Sequence, residues 1–138
     1  MVRLTDVSAV SVVVCDDAPE MRAVLQDVLS EDQALRVVGE TDNGQACVEL
    51  IADLQPDVVL LDLSMPVMGG LEAIPHIMSV APQTAIVVFS GLGAGRMQEL
   101  ALALGADLYI EKGTPLDELC TALRQVSVRR SQNGRGDG

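Results

Sequence analysis

The chain has 138 residues, with 9 Lys and Arg against 20 Asp and Glu and a formal net charge of −11. That length suits one domain with a sizeable core, and 49% hydrophobic residues with 21% charged are too apolar for a disordered acidic tail. An excess of carboxylates repels phosphate backbones and anionic membranes, so neither nucleic acid nor a lipid surface is expected as a direct partner, and cations are the expected ligands.

Taken in chain order, the first strand is expected at Ser11–Cys15, followed directly by Asp16 and Asp17. Met21, Val24, Leu25, Val28 and Leu29 then repeat at the i, i+3, i+4, i+7 spacing of an amphipathic helix. A second strand spans Leu35–Gly39, and a second helical stripe runs through Cys47, Leu50, Ile51 and Leu54. The third strand, Val58–Asp62, ends on an acid. The segment from Gly69 to Val80 has helical spacing at Leu71, Ile74, Ile77 and Met78, but Pro75 removes a backbone donor inside it, so a short or kinked helix is expected.

Ala85–Phe89 forms the fourth strand, with Ser90 and Gly91 after it. Met97, Leu100, Ala101 and Leu104 mark the next helix, Asp107–Glu111 the fifth strand, and Leu116, Leu119, Cys120 and Leu123 the last helix. Most strands are continuously apolar, as in a parallel sheet buried on both faces. Five alternations of strand and helix predict a doubly wound α/β fold, whose ligands bind at the carboxyl ends of the strands. The domain is expected over residues 10–127, with 128–138 a disordered tail or the start of a linker.

Cys15, Cys47 and Cys120 are odd in number, widely spaced and without a CxxC pair, which argues against a disulfide framework or a zinc site and predicts core thiols. No signal peptide or apolar run of membrane-spanning length appears, so a cytoplasmic protein is expected. With only Phe89 and Tyr109 as aromatics, there is no platform for stacking single-stranded bases.

The strand ends carry the chemistry. Asp16, Asp17 and Asp62 would stand together at one rim, and clustered carboxylates are costly unless a cation compensates them. A hard divalent ion such as Mg²⁺ suits oxygen ligands of this kind. Lys112, the only lysine, and Ser90 reach the same rim, offering a point charge and a hydroxyl to phosphoryl oxygens. The set predicts phosphoryl transfer by positioning and charge neutralisation. His76, the sole histidine, lies on an expected exposed helix, so a phosphodonor histidine would come from another protein. Met65 and Met68 read as loop packing, because thioethers suit soft metals.

Over residues 10 to 127 the sequence resembles the receiver domains of two-component response regulators, the CheY-like superfamily. The resemblance is carried by Asp16-Asp17, by Leu-Leu-Asp62-Leu-Ser-Met-Pro66-Val-Met-Gly69-Gly70, by Phe-Ser90-Gly and by Tyr109-Ile-Glu-Lys112-Gly, in that order. It implies a five-stranded flavodoxin-like sheet in the order 2-1-3-4-5. It also implies that Asp62 is the phosphoacceptor and that Mg²⁺ is held by Asp17, Asp62, the backbone carbonyl of Ser64 and, through water, Asp16. Lys112 would pair with the phosphoryl group, Ser90 would swing to bond it, Tyr109 would be the aromatic switch, and Pro66 and Gly69 would shape the neighbouring loop. Gly70 has an equally good reading as a simple helix-start glycine. Gly113 stands where the family most often has Pro.

The implied partners are a sensor histidine kinase or a histidine phosphotransfer protein, and downstream a protein partner or a second copy of the chain. No enzymatic activity is expected beyond the domain's own phosphorylation and dephosphorylation. The alternatives are a receiver fragment of a longer helix-turn-helix DNA-binding regulator, or a pseudo-receiver that binds without phosphorylation. A haloacid-dehalogenase-type phosphatase would need an acid two residues after its nucleophile, where this chain has Ser64.

Overall fold

The computed structural model of the chain describes residues 9–133. Five strands, β1 (Val10–Cys15), β2 (Leu35–Thr41), β3 (Val58–Leu61), β4 (Ala85–Ser90) and β5 (Leu108–Glu111), alternate with five helices. The helices are α1 (Pro19–Ser30), α2 (Gly44–Leu54), α3 (Gly70–Val80), α4 (Ala94–Leu104) and α5 (Leu116–Asn133). All neighbouring strands are parallel, in the order β2-β1-β3-β4-β5. Strand order reverses at β1, between β2 and β3, so the carboxyl ends of β1 and β3 flank the crevice where such sheets bind ligands.

The period-two geometry of the strands sorts their side chains into two cores. Val13, Cys15, Val59, Leu61, Ile86 and Val88 face one layer, packed with Cys47 and Ile51 of α2, Ile74 and Ile77 of α3 and Ala101 of α4. Val12, Val14, Leu60, Val87 and Phe89 face the other, against Leu25 and Leu29 of α1 and Leu119, Leu123 and Val126 of α5. The continuous apolar runs therefore arise because every strand residue meets a helix layer, whichever way it points.

Three expectations change. First, α3 is one uninterrupted helix of 11 residues despite Pro75. Pro75 is exposed, so the hydrogen bond lost at its nitrogen lies on the solvent side, while Ala73, Ile74 and Ile77 anchor the opposite face with no exposure. Second, Cys15 and Cys47 are disulfide-linked, with Cα atoms 6.2 Å apart, and only Cys120 is a free thiol. The two lie 32 residues apart in the chain, but α2 packs on the sheet face to which Cys15 points, which brings the sulfurs together. Third, α5 continues to Asn133, beyond the expected end of the ordered domain at 127, and no Gly or Pro interrupts it before Gly134. The rest of the expected tail, 134–138, lies outside the described residues.

Ile77 is fully buried in the core beneath β3 and β4. Ile77→Ala is expected to destabilise the fold by about 2–5 kcal/mol, read as a lower urea midpoint at unchanged slope; a loss below about 1 kcal/mol would contradict this packing.

Candidate functional site

The acids arrive at one rim because the register places Cys15 beside Leu61, so the chains leaving β1 and β3 emerge together. The amide of Asp62 donates to the carbonyl of Cys15 at 2.9 Å, continuing the ladder one residue past the strand. One carboxylate oxygen from each of Asp16, Asp17 and Asp62 lies within 4.8 Å of the others. Asp16 and Asp62 are buried, at 2% and 5% exposure, and Asp17 is exposed.

Lys112 enters from the end of β5. Its Nζ lies 2.7 Å from Asp16 Oδ2 and 3.5 Å from Asp62 Oδ2. The remaining oxygen of each carboxylate faces backbone: Asp16 Oδ1 accepts from the Ala18 amide at 2.9 Å, and Asp62 Oδ1 from the Ser64 amide at 3.4 Å. Burial, reinforced by the negative charge of Asp16 and only partly offset by Lys112, raises the pKa of Asp62 above the ordinary carboxylate value. For Lys112 burial acts to lower the pKa, but the bond to Asp16 and the charge of Asp62 outweigh it and the net shift is upward. Three carboxylates share one ammonium, so the pocket keeps an excess of negative charge. An all-oxygen donor set in that state fits a divalent cation site.

Ser90 ends β4 beside Glu111, and Tyr109 lies two residues earlier on β5, beside Val88. Ser90 is fully buried, and its Oγ accepts from the Leu92 amide at 3.0 Å. The Tyr109 hydroxyl donates to the carbonyls of Leu92 at 2.8 Å and Gly93 at 3.3 Å, so both side chains hold the β4–α4 loop. The Lys112 amide donates to the Ser90 carbonyl at 2.8 Å, which ties the Ser90 and Lys112 positions together. The described residues contain no cis peptide bond, and Gly113 takes a positive φ of 107° immediately after Lys112.

The loop from 63 to 69 closes the site beside Asp62. Met65 and Met68 pack on the core, and Pro66 accepts from the Met68 amide at 2.7 Å. Between them Val67 has φ 69° and is 84% exposed, a left-handed conformation that is costly for a β-branched residue. Gly69 caps α3, and a Cβ there would meet only ordinary contact with Leu63 O at 3.4 Å. Gly70 is the constrained glycine, since its Cβ would lie 2.3 Å from the carbonyl oxygen of Asp62.

Two further residues support the site with no sequence motif to announce them. Arg22 of α1 donates from Nη1 to the Asp16 carbonyl at 2.7 Å and from Nε to Glu40 at 3.0 Å, fixing the turn that carries the acids. Gly44, at the start of α2, donates its amide to Met68 O at 3.0 Å, and a Cβ there would fall 2.2 Å from that oxygen. His76 lies on the exposed side of α3, apart from the acids.

The electrostatics have a measurable consequence. Because the folded-state pKa of Asp62 is raised, the folded chain favours the protonated form; the stability this confers is complete at pH below the unfolded value and is lost as pH rises through the folded value. In metal-free buffer at pH 7, Asp62→Asn is therefore expected to raise the melting temperature by a few degrees, on the order of 1 kcal/mol. The gain should vanish near pH 3; an Asn variant less stable than the parent at pH 7 would contradict the charge excess.

The chain is similar to known proteins. The response regulator receiver domain family profile matches residues 12–124. The chemotaxis protein CheY of Thermotoga maritima is 37% identical over 116 residues, covering 84% of this chain and 96% of that protein. The response regulator GacA of Pseudomonas aeruginosa is 36% identical over 117 residues, 85% of this chain and 55% of GacA, so the chain spans about half the length of that relative. Among solved structures, the signal receiver domain of the putative response regulator NarL from Mycobacterium tuberculosis superposes with a TM-score of 0.83 at 34% identity, covering 88% of this chain and 98% of that one. With the strand order, the acidic pocket and the profile match in agreement, the chain belongs to the response regulator receiver domain family.

Proposed function

We propose that this chain is a phosphorylatable signalling receiver whose phosphoacceptor is Asp62. The observation that supports this most is the position of Asp62: buried at a strand end, with the ammonium of Lys112 bridging it to the carboxylate of Asp16. A carboxylate oxygen of Asp62 attacks the phosphorus of a phosphohistidine on a sensor histidine kinase or a histidine phosphotransfer protein. The O–P bond forms, the N–P bond breaks, and the imidazole leaves with its electron pair. The chain's own catalysis is confined to gaining and losing this phosphoryl group.

Asp16, Asp17, Asp62 and the Ser64 carbonyl are the proposed holders of Mg²⁺, which supplies neutralisation of phosphoryl oxygens when bound. Lys112, released from Asp62, pairs with a phosphoryl oxygen, and Ser90 turns its hydroxyl toward another. That turn gives up the bond from the Leu92 amide, and the loop held by Tyr109 then shifts. Pro66 and Gly69 shape the loop beside the reacting oxygen, and Tyr109 transmits its state to the face made by α4, β5 and α5. That face controls a downstream protein or a second copy of the chain. The functional unit of this proposal spans residues 10–127 and works in the cytoplasm, where kinase domains meet their phosphodonor nucleotides. Among the described residues no helix is long and apolar enough to cross a membrane.

A second reading is the receiver part of a longer DNA-binding regulator; the match to only 55% of GacA supports a longer chain, whereas the match to 96% of CheY supports a free-standing receiver. The length of the native reading frame beyond Gly138 separates the two. In either case the net charge of −11 argues against DNA contact by this domain itself.

With Mg²⁺ and acetyl phosphate, one acyl-phosphate modification is expected on Asp62 by mass spectrometry, absent from Asp62→Asn; undiminished modification of that variant would sink the assignment. Lys112→Ala should keep Mg²⁺ binding within a few-fold while losing the phosphorylation-dependent partner response. An unchanged response would remove Lys112 from the phosphoryl site. Ser64 and Leu92 offer no acid or amide side chain to orient water, so the phosphoryl group should persist for minutes or longer, and decay within seconds would contradict this.

A further inference from the structure

The Cys15–Cys47 link lies against the acidic pocket rather than elsewhere in the core. Cys15 immediately precedes Asp16, and its carbonyl holds the amide of Asp62. Cys47 lies in the first turn of α2, whose starting residue Gly44 is bonded to Met68 O in the loop that follows Asp62. The Cα separation of 6.2 Å lies within the span of a disulfide. One covalent bond therefore joins the last residue of β1, immediately before the turn carrying Asp16 and Asp17, to the helix that supports the opposite wall of the pocket.

We propose that Cys15 and Cys47 form a reversible redox site that sets how tightly the acidic pocket holds its divalent cation, the disulfide form binding more tightly. The inference rests on the receiver reading above for the identity of that cation as Mg²⁺. Three crowded carboxylates repel one another. With two free thiols, the 16–17 turn relieves this by drawing away from Asp62 and must be pulled back for binding. The disulfide holds the turn against α2, so the ligands stay assembled and less reorganisation opposes the cation.

The chemistry needs only a low-molecular-weight disulfide as oxidant. The Cys15 Sγ–Cys47 Sγ bond forms, the reagent's S–S bond breaks, and the two thiol protons and two electrons leave on its two sulfurs as two thiols. A dithiol reverses the reaction. In a reducing compartment a disulfide is characteristically transient or redox-sensing, in keeping with a switch. Both cysteines are buried, at 1% and 0% exposure, so exchange proceeds through local opening and each form persists through a binding measurement.

The test uses the full chain, oxidised with glutathione disulfide or reduced with a phosphine, each sample freed of reagent. Alkylation with iodoacetamide in denaturant should label one cysteine, Cys120, in the oxidised form and all three in the reduced form. Calorimetric titration with Mg²⁺ should then give at least threefold tighter binding to the oxidised form. Cys120→Ala should preserve that difference. Cys47→Ala should bind like the reduced form under both treatments, and the wild-type comparison decides alone where that variant does not fold. Three labelled cysteines after oxidation would overturn the redox site while leaving the receiver reading intact. Equal Mg²⁺ affinity in the two forms would overturn the coupling, and no Mg²⁺ binding in either would overturn the coupling together with the cation site.

Discussion

The contact on which the rest of this structure turns is the bridge from Lys112 to Asp16 and Asp62, three charges brought from the ends of three strands. One ammonium cannot neutralise two buried carboxylates and the exposed Asp17 beside them. Burial first, and the charge of Asp16 second, raise the pKa of Asp62, while Asp16 and Asp62 together outweigh the burial of Lys112 and shift it upward. A pocket in that state is poised for added positive charge, and it lies at the topological crevice where a parallel sheet presents ligands.

The scaffold has to hold that unfavourable arrangement in place, and its restraints converge on the acids. Arg22 grips the Asp16 carbonyl, Cys15 receives the Asp62 amide, and Gly70 lets α3 begin directly against the Asp62 backbone. Below them both faces of the sheet are packed with fully buried aliphatic residues, which stabilise the fold enough to tolerate the repulsion at its rim. The strained Val67 stands at the exposed edge of the same site.

Much of this was legible in the residues themselves. The five strands follow from runs such as Val58-Val-Leu-Leu, and the acids and Lys112 could be placed because each directly follows a strand. Features set by packing between distant elements were not legible. Cys15 and Cys47 share no motif, and they pair only because α2 lies over the face to which Cys15 points. Gly69 and Gly70 are indistinguishable as a pair in sequence, yet only Gly70 meets the Asp62 carbonyl. Pro75 looked disruptive because its solvent-facing position was not visible until the three buried residues around it were placed. Arg22 reads as one more helix-surface arginine until its guanidinium is seen on the Asp16 carbonyl.

The central claim is that the excess charge at the strand ends is a divalent cation site and not merely an acidic surface. A titration of Mg²⁺ into the ¹⁵N-labelled chain, followed by amide chemical shifts, addresses it most directly. The account predicts saturable shifts concentrated at residues 16–18, 62–64 and around Lys112, with the exposed acids Glu31, Glu49 and Glu118 unmoved. Small, unsaturating shifts spread over those surface acids, with the strand-end amides silent, would contradict it.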